Sequence, residues 1–138
     1  ISDDVRRDSP YSAYPELDFK VIVKNECDIH ARTQVRLDEI FESINIIRQC
    51  CAKMPEGAHC APMNPIPVTE ACARSEAPRG EVFYFIRTNG TDIPDRLKWR
   101  VPSYMNWEAL GVMMRNCEVA DVALITNSID PCVSCTER

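Results

Sequence analysis

At 138 residues, with 45% apolar and 27% charged side chains, the chain has the size and composition of one domain with a modest core. Its net charge of −5, with no basic cluster, argues against a nucleic-acid surface. No apolar run approaches the ~18–20 residues of a membrane helix, so there is no direct membrane insertion, and any meeting with a membrane runs through partners. The N-terminus has no signal-peptide pattern. The eight cysteines include the vicinal pair Cys50-Cys51, which is poorly shaped for a relaxed bridge; they read as thiols in a reducing, cytosolic setting. The start at Ile1, without methionine, is that of a fragment or a processed chain.

Residues 1–16 are polar, carry Pro10 and Pro15, and read as an irregular arm that packs across other elements rather than as a helix. From Leu17 to Val23 the side chains alternate, with Phe19, Val21 and Val23 on one face, as in a short strand. Asp28 can cap a helix from Ile29 to Met54. Ile40, Ile44, Ile47, Cys51 and Met54 form its apolar stripe, with Arg36, Glu39, Glu42, Asn45, Arg48 and Gln49 on solvent-facing or partner-facing positions. Pro55 and Gly57 stop it. Residues 55–67 hold four prolines and form a loop, in which His59-Cys60 reads as a packed thiol rather than a metal pair.

Three strands follow, at Ala71–Glu76, Glu81–Arg87 and Arg96–Val101. Asn89-Gly90 signals a hairpin turn between the last two. Between the first two, Pro78-Arg79-Gly80 makes a rigid turn that presents one guanidinium. Pro102-Ser103 ends the sheet, and Ser103 or Asn106 can cap a helix from Trp107 to Asn116. A last helix runs from Val119 to Thr126, with Val119, Val122, Ala123 and Ile125 apolar. The fold class is α+β: one long amphipathic helix, a small antiparallel sheet and two short C-terminal helices. The helix stripe and the sheet both offer apolar faces to absent segments.

The chemistry concentrates at Cys132-Val133-Ser134-Cys135, where two thiols can converge on one soft metal. Taken alone, this spacing also suits one knuckle of a zinc site shared between chains, or a redox dithiol. Arg79 alone is a surface arginine, Ser103 a helix cap and Asp130 a turn residue. The other six cysteines read as packed or solvent-accessible thiols, and His30 as a helix-surface residue.

Together, Glu76-Ala-Pro-Arg-Gly-Glu81, Arg100-Val-Pro-Ser103 and Asp130-Pro-Cys-x-x-Cys-Thr-x-Arg138 resemble the C-terminal part of a [NiFe] hydrogenase large subunit. The details look most like the membrane-bound, energy-converting (Ech-type) group. Asp8-Ser-Pro-Tyr-Ser-Ala-Tyr-Pro-Glu-Leu-Asp-Phe19 and the long helix are similar both to those hydrogenases and to the 49 kDa subunit of respiratory complex I. The resemblance covers essentially the whole chain. Complex I subunits share the fold without the metal ligands, so retention of Cys132 and Cys135 favours the hydrogenase. Arg138 stands where other hydrogenases often carry histidine, and the chain ends where that family's maturation protease cuts.

The resemblance implies that residues 1–138 are the C-terminal domain of the subunit, and that the upstream part holds a second Cys-x-x-Cys. In that family Cys132 is a terminal nickel ligand and Cys135 bridges nickel to iron, whose carbonyl and cyanide ligands need buried donors. Arg79 lies over the open metal position, Pro78 walls the pocket, Ser103 donates to a cyanide and Asp130 holds Arg79. Cys132 or Arg79 takes the proton released when hydrogen is split. The implied activity is proton reduction or hydrogen oxidation coupled to ferredoxin. The implied partners are the N-terminal half, an iron–sulfur small subunit and membrane ion-pumping subunits, on the cytoplasmic side of the membrane. Taken alone, the chain is expected to be inactive and without the Ni-Fe centre. The alternative is a complex-I-like quinone reductase subunit lining a quinone cavity.

Overall fold

The structure, a computed structural model, describes residues 3–137. Its dominant element is the 25-residue helix α2 (Ile29–Lys53). Asp28 starts it by accepting the Ala31 amide at 2.7 Å, which satisfies a first-turn donor that has no partner within the helix. At the far end Met54 leaves helical geometry, as the residue before a proline must.

The segment before α2 departs from expectation twice. Residues 1–16 do contain a helix: α1 (Val5–Asp8), a single turn, followed by a 3-10 turn at Tyr14–Glu16. The turn of α1 exists because Asp4 accepts the Arg6 amide at 2.9 Å and pairs with the Arg6 guanidinium at 2.6 Å. Leu17–Val23 forms no strand, because its backbone finds side chains on α2 instead of a neighbouring strand. The Asp18 amide donates to Gln49 at 2.9 Å, and the Asp18 carbonyl accepts from Gln49 at 2.6 Å and from Asn45 at 3.2 Å. Phe19 is buried all the same, with the Arg6 and Arg7 guanidiniums 5.1 and 4.9 Å from its ring centroid.

The sheet is an antiparallel meander of β1 (Glu70–Ala77), β2 (Gly80–Arg87) and β3 (Arg96–Arg100). The pairing of Ala77 with Gly80 leaves Pro78-Arg79 as a tight two-residue turn. Asn89-Gly90 does not make a second one. Pairing there begins at Arg87 with Arg96, so residues 88–95 form a wider loop. Asn89 closes that loop by accepting the Thr91 amide at 3.0 Å and donating to Asp95 at 2.7 Å.

Helix α3 (Pro102–Met113) starts five positions before the expected Trp107, and Val101 is its N-cap rather than part of β3. Proline at the first helical position has its φ already set and needs no amide partner, which explains the early start. Neither Ser103 nor Asn106 caps the helix. The expected helix over 119–126 is a 3-10 turn (Val119–Asp121) leading into α4 (Val122–Ser128), and Ile125 is its one buried apolar residue. The short α5 (Val133–Thr136) closes the described chain.

The buried apolar residues, Val5, Phe19, Ala31, Val82, Val101, Leu110 and Ile125, make a small core. On α2, Ile40, Ile44 and Ile47 are exposed, as is Met54 just past its end. Cys60 is exposed too, so it is not a packed thiol. Among the described residues no helix is long and apolar enough to cross a membrane. Asp28→Ala is expected to lower stability by about 1 kcal/mol. Phe19→Ala should cost about 3 kcal/mol or more, by loss of packing and of its ring contacts. Urea unfolding of the two variants beside the parent chain measures both.

Candidate functional site

Pro78 and Arg79 occupy the tight turn between β1 and β2, where proline holds φ and the arginine points off the end of the hairpin. Gly80 follows with φ +123°, and a Cβ there would stand 3.4 Å from Pro102 Cβ. The turn is therefore seated on the first turn of α3. The Arg79 guanidinium reaches the segment after α4: Nη2 pairs with Asp130 Oδ2 at 2.9 Å, and Nε donates to the Asp130 carbonyl. Both groups come from one residue, so two neighbouring nitrogens of the fork are held together. Asp130 has φ +51°, in the left-handed region that aspartate tolerates better than most residues. Its amide donates to the Asn127 carbonyl at 3.0 Å.

A second cation meets Asp130 from α2. Arg36 Nη1 lies 3.8 Å from Asp130 Oδ1 and donates to the Asn127 carbonyl at 3.2 Å. One turn earlier, Arg32 donates to Ser128 Oγ at 3.0 Å and to the Cys27 carbonyl at 3.1 Å. These two contacts tie the end of α4 to the long helix.

Helix α3 holds the rest of the site through one face. Ser103, almost wholly buried at 1% exposure, accepts the Cys132 amide at 3.0 Å. Asn106 donates to the Arg79 carbonyl at 3.4 Å, and Trp107 Nε1 donates to Thr136 Oγ1 at 2.8 Å. Thr136 in turn donates to the Cys132 carbonyl at 3.0 Å. Ser103, Asn106 and Trp107 stand at i, i+3 and i+4, so beginning the helix at Pro102 is what aligns them.

Cys132 precedes α5 and Cys135 lies within it, which places both thiols at one short turn. Both are free and partly exposed. The Ser134 hydroxyl, 3.0 Å from Cys132 Sγ, pulls the Cys132 thiol down to about 7, with help from Cys135 and from the Arg79 charge. Cys135 is pushed up, chiefly by its hydrogen bond to Cys132. One thiol thus ionises readily and the other holds its proton.

An open groove of about 1210 Å³ runs between α2 and the hairpin turn. Its wall includes Pro78, Arg79 and Asp130, along with Arg36, Glu39 and Glu76. Glu76 anchors α1 by accepting the Val5 amide at 2.9 Å, and burial pushes its carboxyl upward, as it does that of Glu39.

The structure therefore brings Arg79, Asp130, Ser103, Cys132 and Cys135 into one constellation, with Pro78 on the adjoining groove wall. Arg138 lies outside the described residues. Sequence reasoning missed Asn106, Trp107, Thr136 and Arg36 as parts of this constellation. For the first two the signal was present in Pro102, which marks the helix start. For Arg36 and Thr136 none was. At pH 7, Cys132 is expected to react with iodoacetamide ahead of Cys135, and Ser134→Ala to slow that reaction several-fold; peptide mass mapping of a time course reads both rates.

The family model described as respiratory-chain NADH dehydrogenase, 49 Kd subunit, matches residues 1–66 and 60–138. The chain is 54% identical over 136 residues to a carbon monoxide-induced hydrogenase of Rhodospirillum rubrum, covering 98% of this chain and 38% of that protein. It is 38% identical over 144 residues to the D-type subunit of F(420)H(2) dehydrogenase of Methanosarcina mazei, again covering 98% and 38%. It is 35% identical over 157 residues to a D-type subunit of NADH-quinone oxidoreductase of Rhizobium etli, covering 93% and 39%. The chain thus spans less than two fifths of the length of these curated relatives. The relatives are a hydrogenase, a dehydrogenase and an oxidoreductase by name, and the family model's match over residues 60–138 includes the turn, α3 and the terminal thiols. The chain belongs to the family of the respiratory-chain NADH dehydrogenase 49 Kd subunit.

Proposed function

We propose that this chain is the C-terminal part of the catalytic subunit of an energy-converting [NiFe] hydrogenase, and that it supplies two of the four thiolate ligands of a nickel–iron centre. The observation that carries the reading is the placement of Cys132 and Cys135 on one turn beside the Arg79–Asp130 pair. Its likeness to the Rhodospirillum rubrum hydrogenase supports it further.

The residues fit such a centre. Two neighbouring sulfurs, one already acidified, are soft anionic donors of the kind nickel takes. Ser103 spends its oxygen lone pair on the Cys132 amide, which leaves its hydroxyl proton to donate within a buried site. Arg79 spends Nε and Nη2 on Asp130, and among the described residues no acceptor takes Nη1. These are the donors that carbonyl and cyanide groups on iron would call for. When bound, the centre supplies heterolytic activation of hydrogen.

The chain's own part is to hold and move charge around that chemistry. Ser103 and Thr136 fix the main chain at Cys132, so the sulfur is presented in one orientation. Asp130 keeps Arg79 from turning away, and Pro78 walls the approach along the groove. The Cys132 thiolate is the group able to take up the proton at this point, beside the fixed positive charge of Arg79. The remaining two thiolates belong to a Cys-x-x-Cys in the upstream part of the subunit. Electrons exchange with ferredoxin through an iron–sulfur small subunit. Membrane ion-pumping subunits complete the complex, with this subunit peripheral on the cytoplasmic face.

A second reading is favoured by the relatives that are D-type subunits of NADH-quinone oxidoreductase: a metal-free wall of a quinone cavity. An upstream Cys-x-x-Cys separates the two, being required for the first and idle in the second.

Purified alone, the chain should hold no stoichiometric nickel by elemental analysis; one tightly bound nickel per chain would contradict the half-site. In the full-length subunit, Cys132→Ser and Cys135→Ser should each abolish nickel incorporation and hydrogen evolution. Arg79→Lys should keep nickel and lose about 10–100-fold in rate, because lysine lacks the fork that grips Asp130. Full activity in Cys132→Ser would remove the reading.

A further inference from the structure

We propose that Arg36 of α2 is a positioning residue for Arg79, acting through Asp130, so that the long helix sets where the Arg79 guanidinium stands. The functional meaning of this coupling rests on the role proposed above for Arg79, whereas the coupling itself does not depend on any metal.

Asp130 is a connector with two sides. One carboxylate oxygen faces Arg79 Nη2 at 2.9 Å and the other faces Arg36 Nη1 at 3.8 Å. Its backbone is in the left-handed region, which for a residue with a Cβ persists when neighbours hold it. The holding comes from α2. Arg36 Nη1 also takes the Asn127 carbonyl, and Arg32, one turn away on the same side of the helix, takes Ser128, which is 5% exposed. Arg36 therefore meets both ends of the segment Asn127 to Asp130 and Arg32 holds Ser128 between them, the two arginines being four positions apart, the spacing that stacks side chains on one helix face.

The two arginines divide the work. Arg79 makes the short, direct pair, with its Nε on the carbonyl of the same residue. Arg36 at 3.8 Å is past hydrogen-bond reach of the carboxylate and acts on it by charge, orienting the plane that Arg79 grips. One Arg36 nitrogen thus sits 3.2 Å from a carbonyl and 3.8 Å from the carboxylate that carries the site's other cation. Both contacts use the same Nη1, so a lysine ammonium can replace it, whereas a neutral glutamine amide can keep only the carbonyl contact.

The test is hydrogen exchange of the Arg79 Nε–H, followed by NMR in the 138-residue chain at low ionic strength, where a partly exposed pair is least screened. In Arg36→Ala and Arg36→Gln the exchange rate should rise about fivefold, the upper range for such a pair. In Arg36→Lys it should stay within about twofold of the parent chain. Backbone amides of the β2–β3 ladder should keep their rates in every variant, which separates positioning from a general loss of stability. In an Asp130→Asn background, Arg36→Gln should add no further acceleration, because the path through the carboxylate is already cut. An Arg79 rate within about twofold of the parent in Arg36→Gln overturns the proposal, as does an equal effect of Arg36→Gln with and without Asp130→Asn. If Arg36→Ala unfolds, Arg36→Gln and Arg36→Lys still decide the matter. Failure here leaves the nickel reading standing, and failure of nickel incorporation leaves this coupling standing.

Discussion

The Arg79–Asp130 pair is the constraint on which the rest of the arrangement turns. It bridges 51 positions of sequence and joins the tip of the hairpin to the loop that leads to the thiols. Both side chains are about a quarter to two fifths exposed, so the pair adds little to stability as an isolated ion pair. Its worth lies in geometry. The carbonyl and carboxylate of one residue engage two adjacent nitrogens of one guanidinium, and that fixes a direction as well as a distance. Around it, α3 acts as a splint, reaching the turn through Asn106, the thiol loop through Ser103 and the last turn through Trp107 and Thr136.

Much of this was readable in the residues. The long helix announced itself through Asp28, its apolar spacing and Pro55, and the sheet through alternation and turn residues. The three motifs together marked Arg79, Ser103, Asp130 and the thiol pair. What could not be read was which partner each polar group would choose. Leu17–Val23 alternates like a strand, yet whether it pairs depends on a neighbour, and Asn45 and Gln49 occupied its backbone first. Asn89-Gly90 carries the residues of a tight turn, but Asp95 offered Asn89 a wider closure. Pro102 was read as the end of the sheet when it is equally the start of a helix, and from that single ambiguity Ser103 was taken for a cap. Arg36 looked like any polar position on an exposed face because Asp130 is distant in sequence.

The core is small for the chain, and α2 shows large apolar side chains on its free surface. Order near the site is accordingly carried by polar contacts: Asp28 to α2, Glu76 to α1, Arg32 and Arg36 to the end of α4. Such contacts are directional and individually weak, whereas apolar burial is strong and indifferent to direction. A scaffold with this balance holds a few atoms in register while leaving broad apolar surfaces exposed.

The bonds that tie the terminal loop to Ser103 and to Thr136 run to the amide and carbonyl of Cys132, while its sulfur meets only neighbours within the loop among the described residues. Every amino acid except proline offers those same two groups. The loop is therefore anchored without regard to which side chain stands at position 132, and its sulfurs are passengers on a support that does not depend on them. A lineage can exchange them without unmaking the support, so one scaffold can carry members with thiols and members lacking them. On the function proposed above, the difference between holding a metal and not holding one would then run through side chains alone, at positions where the fold exerts no vote.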